Sequence, residues 1–442
     1  MSNTKEIDIV IPAFNAGYTI DKTLMSIAIQ NIVDKVCVII VDDYSDKEHT
    51  DLYQKYRKQF ESYFRIDYIR LKSNSGPGIA RKEGLNFGNS KYVTFIDADD
   101  VFATSTSLFT LYNIINNKDN SHINFCNSIF QEEVRNQDDE FVTYFDHTND
   151  MTWMFGKIYR REFLEKFNIN FNGSWSNEDC GFNTLCLLCN NPDNALYIDR
   201  LTYCWNFNPA SITKNNDYSF NGLKGYIYNN IWAIHEYENK LIKINKDDLD
   251  GIEAMDENID KLNAVADELN TEEHKVRFVS HIINTLVLLY LYYESLIKDG
   301  RSQDQLNQYL DWVIDYYRDV YIRYRECIGK DIFTSCYKQV KQSNERLIEN
   351  YVESISILEF IKKIDNLMLN TENIKSVTEE NNDIIGYVSN DVYSEVADKQ
   401  SNGIDDEEIK SFIKNSLILP KDLDVYVNDN KNQKYKEYFH IS

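Results

Sequence analysis

Proline and glycine are sparse in this chain of 442 residues, with 5 and 15 copies respectively. Flexible and low-complexity tethers are rich in such residues, so the shortage argues against any long linker of that kind. Long apolar runs are missing too. The densest, Leu286-Val287-Leu288-Leu289-Tyr290-Leu291-Tyr292-Tyr293, is far shorter than the roughly 20 residues that a membrane-spanning helix needs. Met1-Ser2-Asn3-Thr4-Lys5-Glu6 leads directly into a strand pattern and lacks the charged-then-apolar signature of a signal peptide. There is no excess of basic residues: 47 Lys and Arg stand against 71 Asp and Glu, for a net charge of -24. That balance opposes sequence-independent attraction to nucleic acid or to an anionic membrane, both of which need clustered cations. These absences lead us to expect a cytoplasmic protein with no membrane span, for which nucleic acid is a disfavoured partner.

The eight cysteines are scattered, some within apolar runs such as Val36-Cys37-Val38, as reduced core thiols would be. Cys186 and Cys189 form a C-x-x-C with Cys180 upstream. A zinc site would need a fourth ligand at recognisable spacing and none is near, so packing at i, i+3 on a helix is the simpler expectation.

The length implies two or three domains. The first two hundred residues alternate strand and helix patterns. Ile7 to Ile11 reads as a strand stopped by Pro12, followed by a helix over Thr19 to Gln30. Further strands are expected at Val36–Val41, Ile66–Leu71 and Tyr92–Ile96, and helices at Glu48–Tyr63 and, entered through Pro77, Gly78–Phe87. This β-α-β-α-β order predicts an α/β fold with a mostly parallel, doubly wound sheet. From about Phe220 helical spacing takes over, as in Phe278, Ile282, Ile283, Leu286, Leu289 and Tyr290, in Leu306 to Tyr317, and in Leu347 to Leu367. Asp247 to Glu273 reads as an acidic exposed helix or connector, and Ile384–Val388 and Asp424–Val427 as short strands. The expected domains are 1–219, a helical 220–370 and a mixed 371–442.

The most informative run is Val93-Thr94-Phe95-Ile96-Asp97-Ala98-Asp99-Asp100. Its acids fall at the carboxyl end of a buried strand, the edge where open α/β sheets bind ligands. Hard oxygen donors there suit Mg²⁺ or Mn²⁺, which accept substrate phosphates as further ligands. Acids after a strand equally suit a solvated turn or an N-cap. Three more loops join the same edge: Pro12-Ala13-Phe14-Asn15-Ala16-Gly17, Asp42-Asp43-Tyr44-Ser45, and Asn74-Ser75-Gly76-Pro77-Gly78-Ile79-Ala80-Arg81. The last brings backbone amides, a helix start and a guanidinium together as an anion cradle, although Gly-Pro-Gly is also a common plain turn. Glu178 and Asp179 open a later helical run, where acids favour the helix dipole in any case.

In their order and spacing these segments, with Gly156-Lys157-Ile158-Tyr159-Arg160-Arg161-Glu162-Phe163-Leu164 and Trp175-Ser176-Asn177-Glu178-Asp179, resemble an inverting glycosyltransferase of family 2 with the GT-A fold. The resemblance runs over roughly residues 6 to 213. It implies that Pro12, Ala13, Phe14, Asn15, Gly76 and Ala98 line the nucleotide pocket of a UDP-sugar donor. Asp43 would pair with the imide of a uracil-like base, Arg81 would lie near the nucleotide or its phosphates, and Asp97 near ribose or sugar. Asp99 would hold Mn²⁺ or Mg²⁺, and Asp179 would take the proton of an acceptor hydroxyl with Glu178 shaping its surroundings. Trp153 and Trp175 offer apolar faces to a sugar ring. Members commonly carry a metal-site histidine near a segment here occupied by Tyr203-Cys204-Trp205-Asn206-Phe207-Asn208-Pro209-Ala210-Ser211-Ile212-Thr213, which has none. Asn208 or water would then complete that site. The implied acceptor is a surface glycan, teichoic acid or capsule precursor. Modified DNA bases and an inactive GT-A scaffold are the competing readings. The helical carboxyl half lies outside the resemblance, with shaping of the acceptor side or homo-oligomerisation as its expected roles.

Overall fold

The structure is a computed structural model that describes residues 5–136, 138, 140–209, 218–244, 256–298, 374–378 and 385–389. The stripes expected at Leu306–Tyr317 and Leu347–Leu367 and the strand expected at Asp424–Val427 lie outside these residues. The chain divides into two compact units, Met1–His274 and Lys275–Ser442.

The first unit is built on a nine-stranded mixed sheet. Its amino-terminal half follows the alternation of the sequence: β1 (Ile7–Ala13), α1 (Ile20–Ala28), β2 (Val36–Asp42), α2 (Lys47–Phe60), β3 (Arg65–Arg70), α3 (Pro77–Phe87) and β4 (Tyr92–Phe95). The strand order β3-β2-β1-β4 is parallel throughout. β1, β2 and β4 are buried almost without interruption, because helices cover both faces, and their sequences are accordingly runs of Ile and Val rather than alternations.

Pro12 does not stop β1. The strand runs on to Ala13, with Pro12 opposite Val41 of β2. The reason is the side on which its nitrogen lies. Val10 offers its carbonyl to Ile96 on the β4 side, and Pro12, two residues on, points the same way. There the β1–β4 pairing has already ended at Val10, so no ladder bond needs the missing N–H.

The second half of the sheet comes from β5 (Val101–Phe102), β6 (Phe125–Arg135), β7 (Phe141–His147), β8 (Lys157–Arg160) and β9 (Ala195–Trp205). β8 is antiparallel to both β4 and β6, β9 is parallel to β6, and β5 and β7 are antiparallel edge additions. Between these strands lie α4 (Ser107–Ile115), α5 (Arg161–Lys166) and α6 (Glu178–Cys189). Cys180, Cys186 and Cys189 are buried free thiols of α6, and burial pushes the Cys189 thiol up to about 12. The C-x-x-C is therefore helical packing, as expected.

At the amino end of β1, Asp8 is buried and accepts from Arg161 Nη2 at 2.8 Å, Ser90 N at 2.9 Å and Ser90 Oγ at 2.6 Å. Arg161 also donates to the carbonyls of Ser90 and Leu85, so one guanidinium ties β1, α3 and α5 together. Asp8→Ala leaves that cation buried without its carboxylate and is expected to cost about 3–5 kcal/mol. A shift of the urea midpoint checks this, and an unchanged midpoint would remove the ion pair from the stability argument.

Two further helices, α7 (Tyr218–Leu241) and α8 (Asp256–Leu269), complete the first unit, and α9 (Glu272–Lys298) begins at its end. In α9, Phe278, Ile282 and Ile283 are buried, as their spacing predicts. The second unit also contains an antiparallel pair, β10 (Ile374–Thr378) and β11 (Ile385–Ser389). Among the described residues no helix is long and apolar enough to cross a membrane.

Candidate active site

All four amino-terminal loops emerge at the carboxyl edge of the parallel strands, as their topology requires. After β1, Phe14 is half exposed, while Ala13 belongs to the buried core. Asn15 sits at φ 49°, a conformation that Asn tolerates better than most residues. Its amide N–H donates to Ser45 Oγ at 2.9 Å and its side chain exchanges hydrogen bonds with Asp46. The first and second loops are thus stitched together.

The two acids of the second loop divide their work. Asp42 is fully buried and accepts from Ser45 N at 2.7 Å, Tyr68 Oη at 2.5 Å and the Arg70 guanidinium. Asp43 accepts from Ser75 N at 2.7 Å and Gly76 N at 2.8 Å, which ties the second loop to the third. Burial raises its carboxyl above the ordinary range against the pull of those two amides. Each Asp43 oxygen already serves a backbone amide, so a base N–H would occupy a second lone pair. Gly76 adopts φ 87°, which strains any other residue, and a Cβ there would sit a tight 3.1 Å from the Trp175 ring. Gly78 is tighter still, since its Cβ would fall 2.6 Å from the Asn172 carbonyl. These two glycines let the start of α3 press against the loop that precedes α6.

Arg81, one turn into α3, is the junction of the site. Its Nη2 donates to Asp97 Oδ1 at 2.5 Å and its Nη1 to Glu178 Oε1, joining the end of β4 to the start of α6. Arg81 and Glu178 are both buried, whereas the Asp97 side chain keeps 30% exposure. Burial works against the Arg81 charge, but Asp97, Glu178 and Asp179 together outweigh it and hold the guanidinium ionised.

β4 ends at Phe95 and the chain turns, with Asp100 N donating to Asp97 O at 3.1 Å. The three acids then take separate partners. Asp97 goes to Arg81. Asp99 Oδ2 accepts from Asn208 Nδ2 at 2.7 Å, and its carboxyl is raised first by burial and then by the Asp97 charge. Asp100 is buried, accepts from Tyr203 Oη at 2.5 Å and Asn206 N at 2.8 Å, and is raised well above the usual range by burial and by its acidic neighbours. Ala98 turns into the core. Among the described residues no group of three or more His, Cys, Asp or Glu is arranged to hold a metal ion.

Glu178 and Asp179 open α6 behind Asn177, which is left-handed at φ 56°. Asp179 is buried and caps its own helix by accepting from Cys180 N at 2.8 Å. Burial, followed by the Glu178 charge, pushes its carboxyl up to about 7. The loop that leads into α6 is held from outside the resembling region. Asn229 of α7 donates to Ser176 O at 2.8 Å and Ser174 Oγ at 3.0 Å, and accepts from Asn172 Nδ2 at 2.8 Å. One turn past Asp179, Asn183 donates to the Trp153 carbonyl at 3.0 Å, which also accepts from the buried Lys157 at 2.7 Å. Trp153 in turn packs in an aromatic cluster with Phe155 and Trp205, and Trp175 stands half exposed at the rim.

The sequence reading placed Asp97, Asp99, Glu178 and Asp179 in one site, and Arg81 joins Asp97 to Glu178 directly. Tyr203, Asn206, Asn183 and Asn229 had no role in that reading. Each takes its meaning from a contact with a residue far along the chain, 30 residues away for Asn183 and more than fifty for the others, and an isolated Asn or Tyr carries no motif.

Residues 8–175 match the model of Glycosyl transferase family 2. The amino-terminal part of this chain belongs to that family. The family 2 segment is 36% identical over 101 residues to the putative teichuronic acid biosynthesis glycosyltransferase TuaG of Bacillus subtilis, covering 23% of this chain and 38% of that protein. It is 31% identical over 109 residues to the poly(ribitol-phosphate) beta-glucosyltransferase of Bacillus spizizenii, covering 24% and 17%. With the poly(ribitol-phosphate) beta-N-acetylglucosaminyltransferase TarP of Staphylococcus aureus the identity is 31% over 113 residues, covering 25% and 32%. The matches therefore span less than two-fifths of each of these relatives. Among solved structures, S. aureus TarS 1-349 in complex with UDP-GlcNAc aligns over 77% of this chain and 92% of its own, with a TM-score of 0.43 and 17% identity.

Proposed function

We propose that the protein is an inverting glycosyltransferase of GT-A architecture that moves a sugar from a UDP-linked donor to a hydroxyl of a surface glycan such as a teichoic acid. One observation carries the reading: Arg81 draws Asp97, from the strand edge where a nucleotide would lie, and Glu178, beside Asp179, onto a single guanidinium. The names of the family 2 relatives, two of them acting on poly(ribitol-phosphate), support the acceptor class.

In this mechanism the donor lies across the loops that carry Phe14, Asn15, Asp43 and Gly76, above the ends of β1 and β4, where the Ala13 and Ala98 side chains are buried in the core. Asp179 accepts the proton of the acceptor hydroxyl, whose oxygen forms a bond to the anomeric carbon as the bond from that carbon to the diphosphate breaks. In-line attack inverts the configuration. A hydroxyl is a poor nucleophile at neutral pH, and a base near pKa 7 is matched to that task. Glu178, paired with Arg81, keeps the surroundings of Asp179 anionic and its carboxyl basic.

The donor set around Asp99 fits Mn²⁺ or Mg²⁺ bound by one carboxylate with substrate phosphates as further ligands, and does not fit an all-protein cage. Its raised carboxyl lies beside two further acids and takes an amide as partner, so added positive charge would be welcome there. Asn208 spends an N–H on Asp99 in this arrangement. When bound, such an ion would neutralise charge that builds on the leaving diphosphate.

The test is UDP release from a panel of UDP-sugars, with and without Mn²⁺. Turnover with one donor is the expected outcome. Silence with every donor, alongside intact folding, would favour a non-catalytic scaffold.

A further inference from the structure

α7 lies outside the segment that matches family 2, yet it grips the loop that leads to Glu178 and Asp179. That loop, Asn172-Gly173-Ser174-Trp175-Ser176-Asn177, has one large side chain, Trp175, and it is half exposed. Apolar burial therefore does little to fix the loop. Nor does the start of α6 fix itself: Asn177 makes no capping hydrogen bond with its side chain, which donates instead to Gly222 O of α7 at 3.1 Å. Two consecutive asparagines in the middle of α7 supply what is missing. Asn is a poorer helix former than Ala by up to about 0.7 kcal/mol, and a buried amide left unpaired costs about 1–3 kcal/mol, so such a pair is unfavourable unless both amides are engaged. Asn229 is fully buried and its whole amide is used. The nitrogen donates to Ser176 O and Gly225 O, each at 2.8 Å, the oxygen accepts from Asn172 Nδ2 at 2.8 Å, and Ser174 Oγ lies within hydrogen-bond reach of both ends. Asn230, also buried, donates to Tyr226 O at 2.8 Å and to Cys180 Sγ at 3.8 Å. The two amides thus hold the chain on both sides of Asp179, before it at Ser176 and after it at Cys180. There is little slack, since a Cβ on Gly181 would fall 2.8 Å from Asn229 Oδ1. Arg81 holds Glu178 from α3, so the first turn of α6 is fixed by two helices.

We propose that Asn229 is a positioning residue for the base of the transfer reaction: through Ser174 and Ser176 it sets the direction in which the first turn of α6 presents Asp179, which makes α7 a working part of the site. This role rests on the reading of Asp179 as that base. Misplacing a reacting group by about 1 Å can cost about 10²-fold in rate, and a loop held by hydrogen bonds shifts once they are removed. Its release also admits water to Asp179. The ionisable groups that act on Asp179 are Glu178 and Cys180 of its own helix, Arg81 of α3, Asp97 after β4, and Lys157 and Tyr159 of β8. Asn229 is uncharged, so its influence on the carboxyl runs through burial and not through charge.

Initial rates across pH, with UDP binding measured by calorimetry, test the role on the full chain. Asn229→Ala is expected to lower kcat by about 10–10²-fold while UDP affinity stays at the wild-type value, because Asp43 is held by the third loop, at Ser75 N and Gly76 N. The acid limb of kcat/KM should move down from about 7 toward the ordinary range of Asp, since burial is the first cause that raises this carboxyl. Loss of folded protein alone would lower the rate without moving the limb or separating kcat from UDP binding. Asn177→Gly keeps the left-handed turn and removes only the tie to Gly222 O. It should shift the limb the same way by less, and it carries the test if Asn229→Ala does not fold. Unchanged kcat and limb in the folded variants, or a fall in rate with the limb still near 7, overturns the role. Hydrogen exchange separates this failure from that of the underlying reading. If the wild type turns over no donor, Asp179 is not a base, and the amides of residues 176–180 decide the brace by themselves: faster exchange in Asn229→Ala supports it, and an equal rate overturns it.

Discussion

Asp179→Asn is expected to lower sugar transfer by about 10²–10⁴-fold, the contribution typical of a positioned base, while donor affinity stays close to that of the wild type. The amide matches the carboxylate in size and can still accept from Cys180 N through its oxygen, so the loop should keep its shape. The wild type should show a matching pH limb. Burial first, and the Glu178 charge second, raise the Asp179 carboxyl to about 7. Below that pH the group carries its proton and cannot take another, so kcat/KM should climb as the pH rises through about 7 and then level off. Stability should move in the opposite sense. A carboxyl whose folded pKa lies above its unfolded value stabilises the fold at acidic pH and loses that contribution as the pH rises through the folded pKa. The asparagine variant has no such loss and should melt at or above the wild-type temperature at pH 8. Melting curves at pH 5 and pH 8, with initial rates across the same range, check both signs. A limb near pH 4, or full turnover by the variant, would exclude Asp179 as the base.

Arg81→Met should be among the most damaging single changes in the domain, at about 3–5 kcal/mol, because it leaves the buried Glu178 without its guanidinium and uncovers Asp97 as well. The cost should depend on pH. Once Arg81 is gone, Glu178 can escape only by taking a proton, so the loss should be greater at pH 8 than at pH 5. Adding Glu178→Gln to Arg81→Met should recover much of the stability, since the uncompensated charge has been removed, but it should not restore transfer. Urea titrations of the single and double variants measure this directly. If the double variant is no more stable than Arg81→Met alone, the penalty comes from lost packing of the arginine stem and the electrostatic account fails.

Both expectations concern side chains whose pairing is invisible along the chain. Arg81 and Glu178 are ninety-seven residues apart, and nothing local to either names the other. The resemblance set Arg81 near the nucleotide, while the structure sets it between two carboxylates with 5% exposure. The parallel half of the sheet, by contrast, could be read in advance to within a residue or two. β1, β2 and β4 are buried on both faces and helices alternate with them, so composition and periodicity carry the whole message. The second half was less legible. β8 and β5 are only four and two residues long, too short for a period to register, β6 changes from buried to half-exposed along its length, and β9 is buried only at Thr202 and Tyr203. Their alternation therefore fades before it can be recognised. The bracing of the Trp175 loop by Asn229 belongs to the same class: a single amide in a long helix gains its role from a neighbour more than fifty residues away.

What the sequence determined by itself is the parallel core and the four loops at its carboxyl edge, because strand burial, helix amphipathicity and turn chemistry are local properties of the chain. Only the tertiary structure decided how the charges at that edge are shared. Arg81 faces Asp97 and Glu178, Asn208 faces Asp99, and Asp179 is raised toward neutrality. Desolvation and Coulomb interaction depend on which groups the fold brings within a few ångströms of one another, and no linear pattern encodes that distance.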